Sequence, residues 1–467
     1  MDEVVASCVD AGPTLRSLRP SANKIATTAG EVWANDHHDS TSSAISSATP
    51  PIAPSTNSQQ SAPWPPDMGS SSILEKLSFQ SRMGGQPQHY FVFNPGDLYP
   101  VTLPASGKKV FVARDAKLVR LIMTDSRFSL ARLNSREDTV TGTGYQSPSG
   151  MLRLDVPDIR RIRHGMISLF SEQNIAPWRQ DVEKIADDLI SKLLDGHPAP
   201  DLNRRYFEPF VVRAVALSAG ITEDESDKLY GFSNRVLVRV ENFEDRARIC
   251  AAWSELYEYS GELIDKKLSD PDDRLLSRIF AELKKTCLSH DEIVATSGTI
   301  LAGFYTPFGI LSVCAVELFR HPDVVKVCQN EPTLWQLTVE ELMRYKAHFN
   351  FFLPRVATED ITLGEVNICA GQVVLPSLHA AATDPNSFAC PNVFHIDRNR
   401  ARCNIVFGAG PHFCPGAALS RQWLQVGLER LFATLPGLRL AKPYSDLQWQ
   451  PGSISMPDEV PVTWDRG

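Results

Sequence analysis

The chain has 467 residues, of which 43% are hydrophobic and 22% charged, values that are ordinary for a globular protein with a sizeable core. Its formal net charge of -8 argues against a general nucleic-acid binder. The nine cysteines form no C-x-x-C pair, which predicts a reducing compartment and no disulfide framework. We find neither a run of about 20 apolar residues nor an apolar N-terminal leader, so we expect a soluble, cytoplasmic protein without a membrane span.

Residues 1–72 differ in composition from the rest of the chain. They are rich in Ser, Thr, Ala and Pro and show neither a helical nor a strand period. Such a segment cannot bury enough apolar surface to offset its chain entropy, so we predict a disordered extension. A targeting role stays open, although acidic residues such as Asp2, Glu3 and Asp10 are unusual in a transit peptide. The folded part is then expected to span 73–467.

The folded part is predicted to begin with two short strands, at 99–103 and 109–113, and a helix at 117–124. Residues 132–150 lack periodicity and are rich in Ser, Thr and Gly, which predicts a long loop. Loops of that length are uncommon unless they serve a function. From 158 to about 288 the pattern is almost wholly helical.

A capping box at Ser289 and Glu292 predicts the start of the longest helix of the chain, which would end near Arg320. Beyond it we expect a helix at 340–345, strands between 356 and 374, a final long helix and short C-terminal strands. These elements predict one helix-rich domain of the α+β class, mainly α with a small β-sheet.

A cysteine loop lies close to the C-terminus, at 407–416. Cys414 is the single cysteine of a segment stiffened by two prolines and opened by glycines that let a flat ligand approach the backbone. A cysteine at a helix N-terminus is biased toward the thiolate, which suits axial ligation of haem iron. A lone cysteine in a glycine-rich turn is more often a small buried side chain, so the surrounding spacing decides between the two.

The spacing F-G-x-G-x-H-x-C-x-G is similar to the haem-binding loop of the cytochrome P450 (haem-thiolate) family at every fixed position. This resemblance covers the chain from about residue 88 onward. It implies the cytochrome P450 fold, with haem b (heme b, iron protoporphyrin IX) as cofactor and the Cys414 thiolate as the axial metal ligand. The cofactor contacts that it implies in this loop are Phe407, Gly408, Gly410, His412 and Gly416.

Glu341 and Arg344 stand three positions apart, so their opposite charges share one helix face. Alone, such a pair is an exposed ion pair that contributes little to stability. Arg398 follows in a downstream segment that resembles the family's. The resemblance implies a buried Glu-Arg-Arg triad, whose role is to hold the haem loop in one register.

The resemblance also implies that Arg163, Arg355 and His412 hold the haem propionates. Arginine suits carboxylates because its guanidinium donates two parallel hydrogen bonds. The family usually has a histidine four positions before the first of these arginines, and this chain has Ile159 there, so that anchor would be halved. Each arginine taken alone would more often be a solvated surface charge.

Residues 302–307, A-G-F-Y-T-P, resemble the oxygen-activation segment of the family. The resemblance gives two catalytic positions: Thr306, whose hydroxyl would bond dioxygen, and Tyr305, in place of the usual acid. A phenol is a poorer proton relay than a carboxylate at neutral pH. Because Pro307 has no N–H for the carbonyl of Gly303, we predict a free carbonyl and a kinked helix.

The substrate-facing positions that follow from the resemblance are mainly aromatic or apolar. They are Phe304, Phe308, Phe351, Phe352 and Ile454, together with the loop at 132–150, the helices around 229–240, residues 349–353 and the turn at 453–456. No charged residue is expected on the helix face nearest the iron. We therefore predict a medium-sized apolar small molecule as substrate.

A basic cluster is expected on the cysteine side of the haem. It comprises Arg160, Arg161, Arg400, Arg402 and Arg421. Such a cluster would steer an acidic partner despite the negative charge of the whole chain. We expect a ferredoxin-like or flavin-containing redox partner.

The resemblance implies a haem-thiolate monooxygenase of the soluble bacterial type, which oxidises an apolar secondary metabolite with dioxygen and electrons from a redox partner. Because Tyr305 replaces the usual acid, the alternative is an atypical haem-thiolate reaction: peroxygenation, oxidative coupling or cyclisation, or nitric-oxide-type reduction. A third possibility is a haem sensor, which would show no turnover and no substrate-induced spin shift.

Overall fold

The computed structural model describes eight segments of the chain, all within the compact unit Pro63–Gly467. They are residues 98–102, 109–133, 150–194, 199–236, 243–346, 353–398, 405–450 and 456–465. The predicted extension at 1–72, most of the predicted loop at 132–150, and Phe351, Phe352 and Ile454 lie outside these segments.

The described residues are mainly helical, as predicted. They form fourteen α-helices: α1 Ala116–Thr124, α2 Asp158–Met166, α3 Glu172–Ile175, α4 Arg179–Leu194, α5 Glu208–Ala219, α6 Glu223–Val236, α7 Phe243–Ser269, α8 Leu275–Lys285, α9 His290–Gly303, α10 Thr306–Phe319, α11 Pro322–Asn330, α12 Leu334–Tyr345, α13 Leu378–Ala382 and α14 Ala417–Thr434. A π-helical turn, Asn203–Phe207, precedes α5.

The strands of the described residues are short. They are β1 Leu98–Thr102, β2 Lys109–Ala113, β3 Phe128–Ser129, β4 Arg355–Ala357, β5 Ile361–Leu363, β6 Val366–Ile368, β7 Val373–Pro376, β8 Arg439–Leu440, β9 Trp449–Gln450, β10 Met456–Pro457 and β11 Val462–Thr463. The predicted strand pair at 99–103 and 109–113 and the strands between 356 and 374 are confirmed to within one or two residues.

Five strands form one sheet in the order β1-β2-β7-β4-β3. Only the pairing of β2 with β7 is parallel, with Phe111 opposite Val374, and the other three pairings are antiparallel. Their side chains are nearly all buried: β2 buries four residues of five and β7 buries all four. The sheet therefore places Arg355, the first residue of β4, in the interior of the fold.

Helix α1 follows the sheet and begins where the sequence predicts. The Asp115 carboxylate accepts the Leu118 amide at 2.8 Å, which satisfies one of the amides left unpaired at a helix start. Val119 and Ile122 are fully buried on the face that packs beneath the sheet. This helix matters for the site because its C-terminal turn contacts the cysteine loop.

The predicted long helix is interrupted in its middle. The capping box is confirmed, since Ser289 accepts the Glu292 amide and Glu292 accepts the Ser289 amide at 2.8 Å. However, α9 ends at Gly303 and α10 begins at Thr306, so each has 14 residues. Taken across the break, His290–Phe319 spans 30 residues, as the predicted longest helix does, whereas the longest uninterrupted helix of the described segments is α7, with 27 residues. The stop at His321-Pro322 is confirmed by α10 ending at Phe319.

The largest core cluster gathers the helices around α14. This helix packs against α4, α10 and α12. Trp423 is fully buried, and the Phe432 ring lies 5.4 Å from Phe319 and 6.1 Å from Trp335. Because α14 begins directly after the cysteine loop, this burial holds the end of the loop in place.

The residues His290–Phe319, taken across the break, are long and apolar enough to cross a membrane by length and composition. Their most apolar window has a mean hydropathy of 1.7, so the absence of an apolar run that we expected from the sequence was wrong. In the fold, 83% of that window is buried among other elements, which is how the core helix of a compact domain behaves.

Seven of the cysteines fall in the described segments. Six of these, including Cys414, are free thiols. Cys390 is disulfide-bonded, which the lack of C-x-x-C pairs did not predict. A single such bond does not amount to the disulfide framework of a small secreted domain.

Candidate active site

The cysteine loop closes on itself through backbone hydrogen bonds. The Cys414 amide donates to the Phe407 carbonyl at 2.9 Å, and the Phe413 amide donates to the Gly410 carbonyl at 3.0 Å. Gly408 and Gly410 have φ of 80° and 68°, a conformation that strongly favours glycine. The glycine spacing of the motif is thus a requirement of the loop geometry.

Gly410 also allows the loop to approach α1 closely. A Cβ on Gly410 would lie 2.9 Å from the Thr124 side chain and 3.2 Å from the Met123 carbonyl. Only a hydrogen fits there, so any other residue would push the loop away from α1. At Gly416, by contrast, a Cβ would meet no atom within 4 Å, which leaves room beside the cysteine.

Cys414 is a half-buried residue just before α14, and its sulfur is the buried part of it. Burial of the sulfur raises the pKa of this thiol above its ordinary value. The Gly416 amide, which hydrogen-bonds the sulfur, and the positive charges of Arg163 and Arg421 act in the opposite direction without reversing the shift. The sequence predicted a bias toward the thiolate, whereas here a metal ion would have to displace the proton on binding.

Glu341 lies at the centre of a buried charge network, as its predicted place in a triad requires. Its carboxylate is 1% exposed and accepts two hydrogen bonds from Arg344, each of 2.8 Å. Arg398 donates to the same carboxylate at 2.9 Å, and the His395 amide does so at 3.0 Å. The three predicted triad residues are therefore in direct contact.

The two arginines of the triad also hold the segment that precedes the cysteine loop. Arg344 donates to the carbonyls of Ala382 and Pro391 at 2.9 and 2.8 Å. Arg398 donates to the carbonyls of Cys390 and Val393, both at 2.7 Å. Each guanidinium thus fastens several carbonyls that regular secondary structure leaves unpaired.

Arg163, Arg355 and His412 lie close enough for their charges to interact. Burial, followed by the positive charges of Arg355 and Arg163, lowers the pKa of His412 to about 3, so this imidazole is neutral at physiological pH. Burial likewise lowers the pKa of Arg355 to about 9. The structure thus brings together the three side chains that the resemblance assigns to the propionates, and it buries Ile159 in the place of the missing histidine.

These residues fit an anionic group. Arg163 is 8% exposed, donates to the Phe413 carbonyl, and forms no ion pair with any carboxylate of the described segments. The buried Nδ1 atom of His412 has no hydrogen-bond partner among the same residues. A buried cation without a counter-charge is costly, and a haem propionate would supply that counter-charge.

The distal candidate residues lie at the break between α9 and α10. The Thr306 hydroxyl donates to the Gly303 carbonyl at 2.9 Å, so this carbonyl is not free, contrary to the prediction from Pro307. The missing amide of Pro307 is replaced by the hydroxyl of the preceding residue. Gly303 is exposed, and a Cβ there would meet no atom within 4 Å, so a flat group could approach the backbone.

Tyr305, the other predicted catalytic residue, is 3% exposed and faces α6. Its hydroxyl donates to the Ser226 carbonyl at 2.8 Å and lies 3.0 Å from the Ser226 hydroxyl. Burial raises the pKa of Tyr305 above that of an ordinary phenol. The Tyr305 side chain is therefore engaged with another helix, and its catalytic assignment stays a prediction.

The predicted substrate contacts that the structure describes differ in exposure. Phe304 is buried and belongs to the main core cluster, so its ring contributes to packing. Phe308 is half-buried, and its ring stands edge-on to Tyr230 at 5.9 Å. Only Phe308 among the described candidates therefore offers an accessible aromatic surface.

Tyr230, which contacts the break from α6, lies in the predicted substrate-facing range 229–240, whereas Ser226 was not predicted. Ser226 lies 79 positions before its partner Tyr305. A serine inside an ordinary amphipathic helix carries no sequence signal of such a contact. It could be found only from the packing of α6 against α9 and α10.

Two of the three described arginines of the predicted basic cluster form ion pairs. Arg161 lies 3.2 Å from Glu292, and Arg421 forms an ion pair with Glu340. Arg400 and Arg402 lie outside the described segments. Of the predicted cluster, only Arg160 is an exposed arginine without an ion pair in the described part of the chain.

Comparison with known proteins agrees with this geometry. Residues 77–435 match the model of the family described as cytochrome P450. The chain is 32% identical over 350 residues to nocardicin C N-oxygenase of Nocardia uniformis subsp. tsuyamanensis, an alignment that covers 74% of this chain and 87% of the relative. It is also 32% identical over 354 residues to mycinamicin VIII C21 methyl hydroxylase of Micromonospora griseorubida, covering 74% and 88%.

The crystal structure of that hydroxylase, bound to mycinamicin VIII, superposes with a TM-score of 0.73 at 29% identity. The superposition covers 82% of this chain and 97% of the hydroxylase. Both the family match and the fold thus extend over most of the described segments. The chain belongs to the cytochrome P450 family, whose members are oxidoreductases, here of the bacterial monooxygenase type, that carry a haem with a cysteine thiolate as axial ligand.

Proposed function

We propose that the chain is a haem-thiolate monooxygenase of bacterial secondary metabolism, acting on a medium-sized apolar substrate with dioxygen and electrons from a redox partner. The observation that carries this proposal is the free Cys414 thiol, held just before α14 under the positive charge of the buried Arg163, two residues after a histidine whose Nδ1 has no partner among the described residues. The haem supplies the iron at which dioxygen is activated. The residues of the chain would hold and orient the haem.

Cys414 is the residue that would bind the iron, and its loop sets the position of the sulfur. Gly408 and Gly410 allow the close approach, and the Gly416 amide donates to the sulfur. Such a donor moderates the electron density on the thiolate. Phe407 closes the loop by accepting the Cys414 amide, and its ring lies 4.5 Å from the Arg421 guanidinium.

Arg163, Arg355 and His412 would hold the propionates. The arginines are charged at neutral pH, whereas His412 is neutral and its single proton bonds the Leu154 carbonyl, so the hydrogen bonds to the propionates would come from the arginines. The guanidinium groups would gain the counter-charge that Arg163 lacks among the described carboxylates. Because Ile159 stands where the family usually has a histidine, Arg163 would provide a larger share of the contact with the propionates.

Thr306 would act on the oxygen side. Its only proton is donated to the Gly303 carbonyl, so the lone pairs of Oγ1 remain free to accept a hydrogen bond from a water molecule or from a protonated oxygen species. Thr306 therefore orients a proton without having to supply it.

The proposed substrate class rests on the apolar character of the accessible candidates and on the relatives. Phe308 presents an aromatic surface beside Tyr230. The relatives carry names that refer to nocardicin C and mycinamicin VIII. We propose a substrate of comparable size with an apolar surface, rather than either of these compounds.

The electrons are proposed to come from a ferredoxin-like or flavin-containing partner. Of the three described arginines of the basic cluster, Arg161 and Arg421 are paired and Arg160 is an exposed charge available for steering. Electrostatic steering by such a charge should weaken as the ionic strength rises. We also propose a soluble, cytoplasmic location for the working enzyme.

The alternative of an atypical reaction was motivated by Tyr305 in place of the acid. The contact of Tyr305 with Ser226 accounts for that substitution without a change of reaction. Peroxide-driven turnover in the absence of any reductase would instead support the alternative.

The test begins with the reduced, carbon-monoxide-bound protein, which should show the red-shifted Soret band of thiolate ligation. Cys414→Ser should abolish the band, whereas Cys369→Ser, which changes another partly exposed free cysteine, should leave it intact. A band that survives Cys414→Ser would contradict the proposal. A screen of apolar metabolites for a substrate-induced spin shift would then identify the substrate class.

A further inference from the structure

The contact between Tyr305 and α6 is one end of a chain of two hydroxyl groups. The Tyr305 hydroxyl donates to the Ser226 carbonyl at 2.8 Å. The Ser226 hydroxyl, 3.0 Å from the Tyr305 oxygen, donates to the Val212 carbonyl at 2.7 Å. Val212 belongs to α5. The side chains of Tyr305, which immediately precedes α10, and of Ser226, on α6, therefore connect three helices.

The two hydroxyl groups of Tyr305 and Ser226 have no proton left to donate to a further acceptor. Each hydroxyl carries a single proton, and a backbone carbonyl can only accept. Both protons are therefore committed, one to Ser226 and one to Val212. All three residues are buried, so no water competes for these bonds. Burial also raises the pKa of the Tyr305 phenol, which keeps it protonated throughout the physiological range.

A second contact lies one turn further along α6. The Tyr230 ring is 5.6 Å from the Tyr305 ring and 5.9 Å from the Phe308 ring. Ser226 and Tyr230 are four positions apart on α6, and Tyr305 and Phe308 are three apart, so both pairs lie on facing sides of their helices. Helix α6 is thus joined to the break by a buried polar contact and an adjoining aromatic one.

The position of Tyr305 in the chain makes this contact relevant to the site. Tyr305 immediately precedes Thr306, and its carbonyl accepts the Phe308 amide at 3.1 Å, which starts α10. Tyr305 therefore contacts α6 through its side chain and also orients Thr306. Phe308, the accessible aromatic, stands at the other end of this turn.

We propose that Tyr305 is a positioning residue, which fastens α6 to the break through Ser226 and thereby sets how tightly the apolar site closes, and that it takes no part in proton delivery. The proposal rests on the proposed function for interpreting the site as a substrate site. The geometry of the contact between Tyr305 and Ser226 is independent of that function. Substrate affinity should then depend on the Tyr305 hydroxyl, while proton delivery should not.

Tyr206 offers a matched control. Its hydroxyl also donates to a helix carbonyl, that of Gly427, at 2.8 Å, and it is fully buried. Its partner lies on α14 and not on α6. Tyr305→Phe and Tyr206→Phe thus remove the same kind of bond at two places.

Affinity is measured with 4-phenylimidazole, an apolar nitrogen ligand followed by its difference spectrum. Tyr305→Phe should raise its Kd about fivefold, the ratio expected for one lost hydrogen bond, while Tyr206→Phe should leave Kd within twofold. Ser226→Ala keeps the carbonyl that Tyr305 needs, so its Kd should lie between the two. Equal Kd values for the two tyrosine variants would overturn the proposal.

Proton delivery is measured as hydrogen peroxide released per electron consumed, with a plant-type ferredoxin and its reductase. Thr306→Ala serves as the reference for disturbed delivery. Tyr305→Phe should stay within twofold of the unchanged protein. A peroxide yield that follows Thr306→Ala would identify Tyr305 as a relay and refute its role as a positioning residue.

Amide hydrogen exchange tests the contact without relying on any reaction. Tyr305→Phe should accelerate exchange in α6 several-fold more than Tyr206→Phe does. Failure of the carbon-monoxide assay in the unchanged protein would refute the proposed function, whereas unchanged exchange in α6 would refute the fastening itself. The two failures are therefore distinguishable.

Discussion

The cysteine side and the oxygen side of the candidate site are built in different ways. On the cysteine side, the loop at 407–416 is closed by its own backbone bonds and shaped by glycines within the motif. On the oxygen side, Tyr305 at the break between α9 and α10 hydrogen-bonds Ser226, 79 positions away in sequence. One side is a local structure, and the other is a junction between distant helices.

This difference predicts that the two sides respond differently to substitution. A local loop tolerates few residues at its glycines, because each conformation is required by the loop itself. A helix junction can exchange an acid for a tyrosine, provided that the partner helix offers a carbonyl in the right place. The oxygen side is therefore where members of one family can diverge in affinity and specificity.

The largest expected effect concerns the charge network behind the cysteine loop. Glu341→Gln leaves the buried guanidinium groups of Arg344 and Arg398 without a counter-charge, which should cost about 3–5 kcal/mol of unfolding free energy. Urea unfolding of the haem-loaded protein would measure it. The neighbouring Glu340→Gln removes a partly exposed pair with Arg421 and should cost less than about 1 kcal/mol. Equal losses would show that the cysteine side is not held by the triad.

The second prediction concerns Glu317, which links α10 to the end of α12. Its carboxylate is 1% exposed, and the Lys346 ammonium lies 2.8 Å away. Burial alone would raise the pKa of Glu317, but hydrogen bonds from His321 and Lys346 and the charge of Arg320 lower it from 4.5 to about 2. Because the folded-state pKa lies below the unfolded one, the stabilisation is complete above about pH 4.5 and is lost as the pH falls toward 2.

Urea midpoints at pH 7, 5, 4 and 3 would test this acid dependence. The shift corresponds to about 3 kcal/mol. The unchanged protein should lose stability between pH 5 and 3 faster than Glu317→Gln, which has no proton to take up. Parallel slopes for the two proteins would contradict the assignment.

A smaller effect is expected at the start of the oxygen-side helix. Ser289→Ala removes the hydroxyl that accepts the Glu292 amide, and should cost about 1 kcal/mol of unfolding free energy. Ser289→Thr keeps an acceptor and should recover most of that loss. If both variants match the unchanged protein in thermal unfolding, the capping box does not stabilise α9.

The smallest effect on stability is expected at Thr306, because its hydrogen bond to Gly303 is exposed to solvent. Thr306→Ala should cost about 0.5 kcal/mol, whereas Thr306→Ser keeps the hydroxyl and should cost less. The same change should markedly raise the hydrogen peroxide released per electron. If Thr306→Ala leaves the hydrogen peroxide yield unchanged, proton delivery depends on another group on the oxygen side.

Local signals in the sequence determined several elements directly. Asp115 and the box of Ser289 and Glu292 start their helices where predicted, because a cap needs only neighbours three positions away. The glycine and cysteine spacing at 407–416 determines the loop for the same reason. The contact of Arg398 with Glu341 also followed, although only through the resemblance to a family.

The tertiary structure alone decided the rest. The Gly303 carbonyl was predicted to be free from Pro307, but the Thr306 side chain supplies the missing donor. Helix α7 is longer than either α9 or α10, because the break divides those two. Burial raises the pKa of the Cys414 thiol, and no local sequence pattern reveals that burial. Tyr305 meets Ser226 because α6 packs across the break, and such a meeting depends on the summed packing of many helices rather than on either residue.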